Sequence, residues 1–401
     1  MGNVLVALGL TLSAAALLLL IPSVVLLVEV CAARHPRGTV GPSSVRRPAL
    51  AVLIPAHNEA AGIAVAIRAV AAQLSAADRL LVVADNCSDD TAAVAMNLGA
   101  EVIERNDLSL RGKGYALDYG VRHLEKRAPE LVVIVDADCD VHPGALDRLA
   151  EACVHSGRPV QATYLMRSPD GAPLKTRIGE FAWLLHNQVR PLGGLRLGWP
   201  CQLMGTGMAF PWSSIRGAAL ATGHIVEDMQ LGIDLAIAGT APLFCGDALV
   251  TSVFPEREAA LLTQRTRWEH GHLGTIASQV PRMLAIAVAQ RRGMLAAMAL
   301  DLAVPPLSAL AIALFTVIAA ALLLAVLGGS GIPLVISAVA AVSFAVAVFG
   351  AWVRFARSVL SGRDWIAVPR YLLAKLPMYA RLFTARQVEW VRTKRKVDSS
   401  D

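Results

Sequence analysis

The chain has 401 residues; 55% are apolar or aromatic, only 17% are charged, and the mean hydropathy is +0.53. A water-soluble domain seldom combines so little charge with so much apolar content, and a disordered chain does not, so part of the protein is expected in a membrane. The net charge of +6 gathers near the end, where residues 354 to 396 hold 11 basic and 2 acidic side chains; because these flank apolar segments, the expected partners are membrane lipids, not nucleic acid.

Three windows carry no Asp, Glu, Lys or Arg: Val4 to Val28, Leu302 to Leu327 and Ile332 to Val353. Each exceeds the roughly 20 residues that cross a hydrocarbon core as a helix. A cleaved signal peptide fits the first window poorly, because the basic leader is missing and the apolar stretch is too long. Myristoylation fails as well, with Val6 standing where Ser or Thr is wanted. Arg34, Arg37, Arg46 and Arg47 follow the first window, whereas Met1 to Asn3 has no basic side chain. Basic flanks stay in the cytoplasm. The N-terminus is therefore expected outside and residue 34 onward inside, with the second and third spans joined by the turn Gly328 to Gly331.

Residues 36 to 48 are rich in Pro, Gly and Ser and read as a linker. Short β-branched runs then alternate with helical patterns: strand Leu50 to Ile54, helix Ala60 to Leu74, strand Leu80 to Ala84, helix Thr91 to Leu98, strand Glu101 to Ile103, helix Lys113 to Lys126 and strand Leu131 to Val135. Near-continuous Val, Ile and Leu runs are buried on both faces, which predicts a parallel sheet sandwiched by helices in a doubly wound, nucleotide-binding α/β fold. Ligands bind such sheets beyond the carboxyl ends of the strands. Carboxylates stand at three of those ends, in Pro55-Ala-His-Asn-Glu59, Asp85-Asn-Cys-Ser-Asp-Asp90 and Asp136-Ala-Asp138. Clustered, they would repel unless a cation or substrate donors offset them. Two carboxylates at i and i+2 on a strand end can reach a hard cation such as Mg²⁺ or Mn²⁺ through oxygen, although Asp also favours plain turns at such places. The six cysteines show no zinc spacing and read as reduced, packed thiols.

The order of motifs resembles the membrane-embedded family 2 glycosyltransferases, the group that includes cellulose, chitin and hyaluronan synthases. The matching residues are Pro55 to Glu59, Asp85 with Ser88-Asp-Asp-Thr91, Gly112-Lys-Gly114, Asp136-Ala-Asp138, Gly205-Thr-Gly207, Glu227-Asp228 and Gln264-Arg-Thr-Arg-Trp268, over roughly residues 50 to 275. The resemblance implies a glycosyltransferase A fold, a nucleotide-diphosphate sugar donor and an inverting transfer. Asp85 then matches the aspartate that accepts from uracil, and Asp138 matches the metal ligand with Asp136 as partner carboxylate. Lys113, between two glycines at a helix start, is placed to meet phosphate. Asp228 matches the general base, paired with Glu227; Val226 stands where the family often has Thr. Glu59, Gln264, Arg267 and Trp268 fall on the donor side. Gly205, Thr206, Gly207 and Trp268 fall on the acceptor side, where glycines let sugar approach backbone and the indole offers a ring face. His270 and His272 have no Cys or His pair nearby in sequence to complete a metal site, so acceptor contact or packing is their expected role.

The domain plan that follows is a transmembrane helix over 1–33, a linker over 34–48 and a catalytic domain over 49–257. After it come the QxxRW segment with interfacial helices over 258–298, two transmembrane helices over 299–354, and a basic interfacial helix and cytoplasmic tail over 355–401. Trp365 to Phe383 is amphipathic and too charged to cross; Trp390 to Thr393 could close over the donor. The expected activity is transfer of a hexose from a UDP-sugar to a polysaccharide or membrane-associated acceptor at the cytoplasmic face. Three apolar spans can hardly enclose a polar lumen, which favours single transfers, or export through a partner. The competing readings are a glycolipid-forming transferase with a ceramide, hopanoid or polyprenyl-phosphate acceptor, and a non-catalytic membrane scaffold.

Overall fold

The first element of the computed structural model is α1 (Gly2–Ala32), a 31-residue apolar helix. The structure describes residues 2–35, 47–224 and 226–384; the linker and the Trp390 to Thr393 segment singled out above lie wholly or largely outside them. Two units are distinguishable, one of residues 2–34, 172–197 and 269–384, the other of residues 47–171 and 198–268.

The second unit is built on a sheet. It runs through β1 (Leu50–Ala56), α2 (Ile63–Ala71), β2 (Arg79–Asp85), α3 (Thr91–Asn97), β3 (Glu101–Arg105), α4 (Lys113–Leu124) and β4 (Leu131–Ile134). Next come β5 (Asp140–Val141), α5 (Ala145–Ser156) and β6 (Val160–Arg167). The chain passes through α6 (Leu174–Leu184), a π-helical turn (Leu185–Val189) and α7 (Arg190–Arg196), all in the first unit. It returns as β7 (Met208–Pro211), α8 (Trp212–Ile215), α9 (Glu227–Ile237) and β8 (Leu243–Val253).

The strand order is β3-β2-β1-β4-β7-β6-β8-β5. From β3 to β4 the pairs are parallel, with Leu53 facing Leu81 on one side and Ile134 on the other. The all-parallel expectation holds only that far: β7 lies antiparallel to both β4 and β6, β6 and β8 are parallel, and β5 is antiparallel to β8. β7 enters only after the excursion through α6, the π-helical turn and α7, so it lies outside the strand-helix-strand crossovers that keep β1 to β4 parallel. One face of the core joins Leu53, Leu81, Val83, Ile134, Met208 and Phe210 to Leu117, Val121 and Leu124 of α4. Burial of each such side chain contributes about 1.5–3 kcal/mol. On the other face of the early sheet α2 buries Ile63, Ala66, Ile67 and Val70, the i, i+3, i+4, i+7 stripe of an amphipathic helix.

The first unit is helical. It holds α1, the end of α10 (Glu258–Ala289), α11 (Gly293–Leu302), α12 (Leu307–Val326), α13 (Ile332–Phe355) and α14 (Val368–Thr384). Three helices, Asn3–Ala32, Leu307–Val326 and Ile332–Phe355, are long and apolar enough to cross a membrane. The second begins five residues later than the uncharged window, because Pro305 and Pro306 end one helix and start the next. A buried charge cluster holds this unit. Arg190 of α7 donates from Nε to Glu29 of α1 at 2.6 Å and from an amino nitrogen to Asp301 of α11 at 2.7 Å. The α7 helix can approach because a Cβ at Gly193 would lie 1.9 Å from the Glu29 carbonyl oxygen, so only glycine fits there. Lys375 and Tyr379 of α14 both reach the carboxylate of Glu269.

Candidate active site

Parallel strands deliver the carboxylates to one edge. Asp85 ends β2, Asp136 and Asp138 follow β4, and β1 lies between, so the two acidic groups stand about 10 Å apart by strand spacing alone.

Asp85 is buried, and its Oδ1 accepts from Arg105 at 2.7 Å and from Asn86 at 3.1 Å. Arg105, at the end of β3, also reaches Asp107 and lies over the Tyr115 ring at 5.5 Å. Sequence reading missed Arg105, since only the β2–β3 register brings it to Asp85. The β1 loop is fastened to the β2 loop: His57 Nδ1 lies 2.7 Å from the Asp85 carbonyl oxygen and Asn58 Oδ1 accepts from the Ser88 amide at 2.7 Å. The Glu59 amide donates to Thr91, and the Glu59 carboxylate lies against Gly62 ahead of α2.

The acidic centre forms around one lysine. Lys113 Nζ is 2.5 Å from Asp136 Oδ1 and donates to the Gly205 carbonyl at 2.7 Å. Gly112 takes φ +134°, and a Cβ on Gly114 would strike the Leu220 carbonyl at 2.3 Å, so both flanking glycines are required for this depth. Gly205, at φ +89°, brings backbone close enough that an added Cβ would sit 3.2 Å from Asp228 Oδ2 and 3.9 Å from Asp136 Oδ2. Thr206 accepts from the Asp136 amide at 3.0 Å. Buried Gln161 fixes this loop from β6, donating to the Thr206 carbonyl and accepting from the Met204 amide. Gln161 is a second residue that no local signal marks.

Glu227 and Asp228 open α9. Burial, and then Asp228 beside it, push the Glu227 carboxyl up to about 7 against the pull of Lys113. Asp228 is likewise raised by burial, with Lys113 opposing. Burial alone would lower the Lys113 ammonium, but Asp136, Glu227 and Asp228 outweigh it and hold the group charged. Gln264, Arg267 and Trp268 share one face of α10 by their i, i+3, i+4 spacing. Burial lowers the Arg267 guanidinium, with the charges of Glu227, Asp228 and Asp136 opposing. Gln264 Oε1 and Arg267 Nε are buried without a hydrogen-bond partner.

Asp136, Asp138 and Cys139 bring ligand atoms within 4.8 Å of one another, the one such group among the described residues. Cys139 donates to Asp138 Oδ1 at 3.6 Å, and burial pushes its thiol well up. Asp136 and Asp138 supply two carboxylates, which fit a hard divalent cation. His270 and His272 belong to the helical unit and take separate partners: His270 Nε2 faces the Met378 carbonyl, and His272 lies beside His186 with ring centroids 5.6 Å apart. Packing is their observed role.

The family described as "Glycosyltransferase like family 2" matches residues 48–271. A probable glucomannan 4-beta-mannosyltransferase 4 of Oryza sativa subsp. japonica is 26% identical over 268 residues, 64% of this chain and 48% of that protein. A probable glucomannan 4-beta-mannosyltransferase 10 of Arabidopsis thaliana is 27% identical over 237 residues, 56% and 43% respectively. The chain thus spans about half the length of these curated relatives. Among solved structures, a mannosyltransferase of Pyrobaculum calidifontis in complex with GDP-Man and Mn²⁺ aligns with a TM-score of 0.56 at 18% identity, over 94% of this chain and all of that one; the likeness is one of fold.

Proposed function

The chain belongs to the family 2 glycosyltransferases, and from that membership we propose an inverting transfer of a hexose from a nucleoside-diphosphate sugar to an acceptor hydroxyl. The observation that carries the reading is the convergence of Asp136, Asp228, Lys113 and the Gly205 backbone within a few ångströms. Asp228 takes the proton from the acceptor hydroxyl as its oxygen forms a bond to the anomeric carbon. The bond from that carbon to the diphosphate breaks on the opposite face, and the electron pair leaves with the diphosphate. The raised carboxyl of Asp228 is a stronger base than a solvated aspartate. The orphaned Nε of Arg267 is free to donate to the diphosphate. Asp138, with Asp136 beside it, would hold Mg²⁺ or Mn²⁺, which supplies charge compensation for the leaving group.

The UDP-sugar reading rests on the match of Asp85 to the family's uracil-contacting aspartate; its Oδ1 already accepts from Arg105 and Asn86. GDP-mannose is the second donor reading, favoured by the mannosyltransferase relatives. A polysaccharide or membrane-associated acceptor agrees with three apolar helices in the same chain, as does a glycolipid product. The basic residues after the first helix support a cytoplasmic catalytic domain. Incubating purified full-length protein with labelled UDP- and GDP-sugars, Mn²⁺ and membrane extract identifies donor and product. Asp228→Asn is expected to keep nucleotide and Mn²⁺ affinity while turnover falls by about 10²–10⁴. Near-normal turnover in that variant removes Asp228 from the mechanism.

A further inference from the structure

Lys113 is engaged within the acidic centre itself. Its ammonium is spent on Asp136 Oδ1 and the Gly205 carbonyl, at 2.5 and 2.7 Å. The site that an added Cβ on Gly205 would take lies 3.6 Å from Nζ, 3.2 Å from Asp228 Oδ2 and 3.9 Å from Asp136 Oδ2. One half-buried ammonium therefore faces the carboxylates of Asp136, Asp228 and Glu227. The start of α4 is packed closely against the loop beyond α8, where a Cβ on Gly114 would lie 2.3 Å from the Leu220 carbonyl oxygen and 2.9 Å from that of Thr222.

We infer that Lys113 is a positioning residue, the resident counter-ion of the acidic centre, which draws the Gly205 loop and Asp136 together and competes with a divalent cation for their charge. The inference rests on the proposed function, because it takes Asp136 and Asp138 as the cation's carboxylates. Its consequence is opposite to that of a diphosphate ligand. Without the ammonium the carboxylates are more negative and take a cation more tightly, while the loop and Asp136 lose the contact that sets their geometry.

The test uses the full chain in detergent, with Mn²⁺ titrated by electron paramagnetic resonance in the absence of nucleotide. UDP and GDP affinities are then measured at saturating Mn²⁺. Lys113→Met is expected to tighten Mn²⁺ about tenfold, to leave the better nucleotide's affinity within about twofold, and to lower kcat about a hundredfold with KM little changed. Lys113→Arg keeps the charge and is expected to keep wild-type Mn²⁺ affinity. Nucleotide affinity weakened tenfold or more with Mn²⁺ affinity unchanged would make Lys113 a phosphate ligand and overturn the inference alone. Wild-type protein that takes up no Mn²⁺ would overturn the proposed cation site and the inference with it.

Discussion

Asp228 and Glu227 are half-buried neighbours whose charges act on each other, so their protons leave as a pair. A base acts only when unprotonated, and a raised carboxyl reaches that state at higher pH. The acid limb of kcat/KM is therefore expected above the ordinary aspartate range, with activity rising as pH rises through it; initial rates over a pH series check this, and a limb near pH 4 would contradict it. Gly205 makes a second prediction. A methyl there must adopt φ +89° and sit 3.2 Å from the base, so Gly205→Ala is expected to cost about 1–3 kcal/mol of stability and most of the turnover, measurable as melting temperature and kcat. The acidic motifs were legible because Asp and Glu at strand ends and at a helix start announce themselves by type. Arg105 and Gln161 were not: each lies in an ordinary strand sequence and acquires its role only from a neighbour, Asp85 or Met204, that the sheet brings to it.

Among elements, the parallel half was readable because its strands are buried on both faces and write themselves as unbroken Val, Ile and Leu runs. The antiparallel half was harder to read. The four residues of β7 and two of β5 are too short for a period, and the eleven of β8 include half-exposed positions where the register shifts against β6. The segment 172–197 hid inside the stretch read as one catalytic domain, since its grouping with the helical unit depends on Arg190 and Gly193, not on apolar content. These two residues carry the prediction at this scale. Arg190→Met leaves Glu29 and Asp301 buried without their partner and is expected to cost about 3–5 kcal/mol. Adding Glu29→Gln and Asp301→Asn should recover most of that loss, as followed by unfolding in detergent micelles.

At the scale of the molecule, composition alone announced membrane spans, and three helices of sufficient length and apolarity are present. The sidedness expected from flanking charge is open to labelling. With the native cysteines replaced, Ser330→Cys in the turn between α12 and α13 is expected to react with an impermeant maleimide from outside intact cells. Glu125→Cys in the sheet unit should react only after permeabilisation, and the reverse pattern would invert the topology.

The Glu29–Arg190 contact also has a bearing on biosynthesis. The carboxylate is translated 161 residues before the guanidinium that answers it, and Asp301 comes later still. If the first helix spans the bilayer, it is inserted with an acid whose partner is not yet made, and waits while residues 47–171 of the sheet unit are translated. Until Arg190 arrives, that helix is a provisional anchor whose final seat does not yet exist.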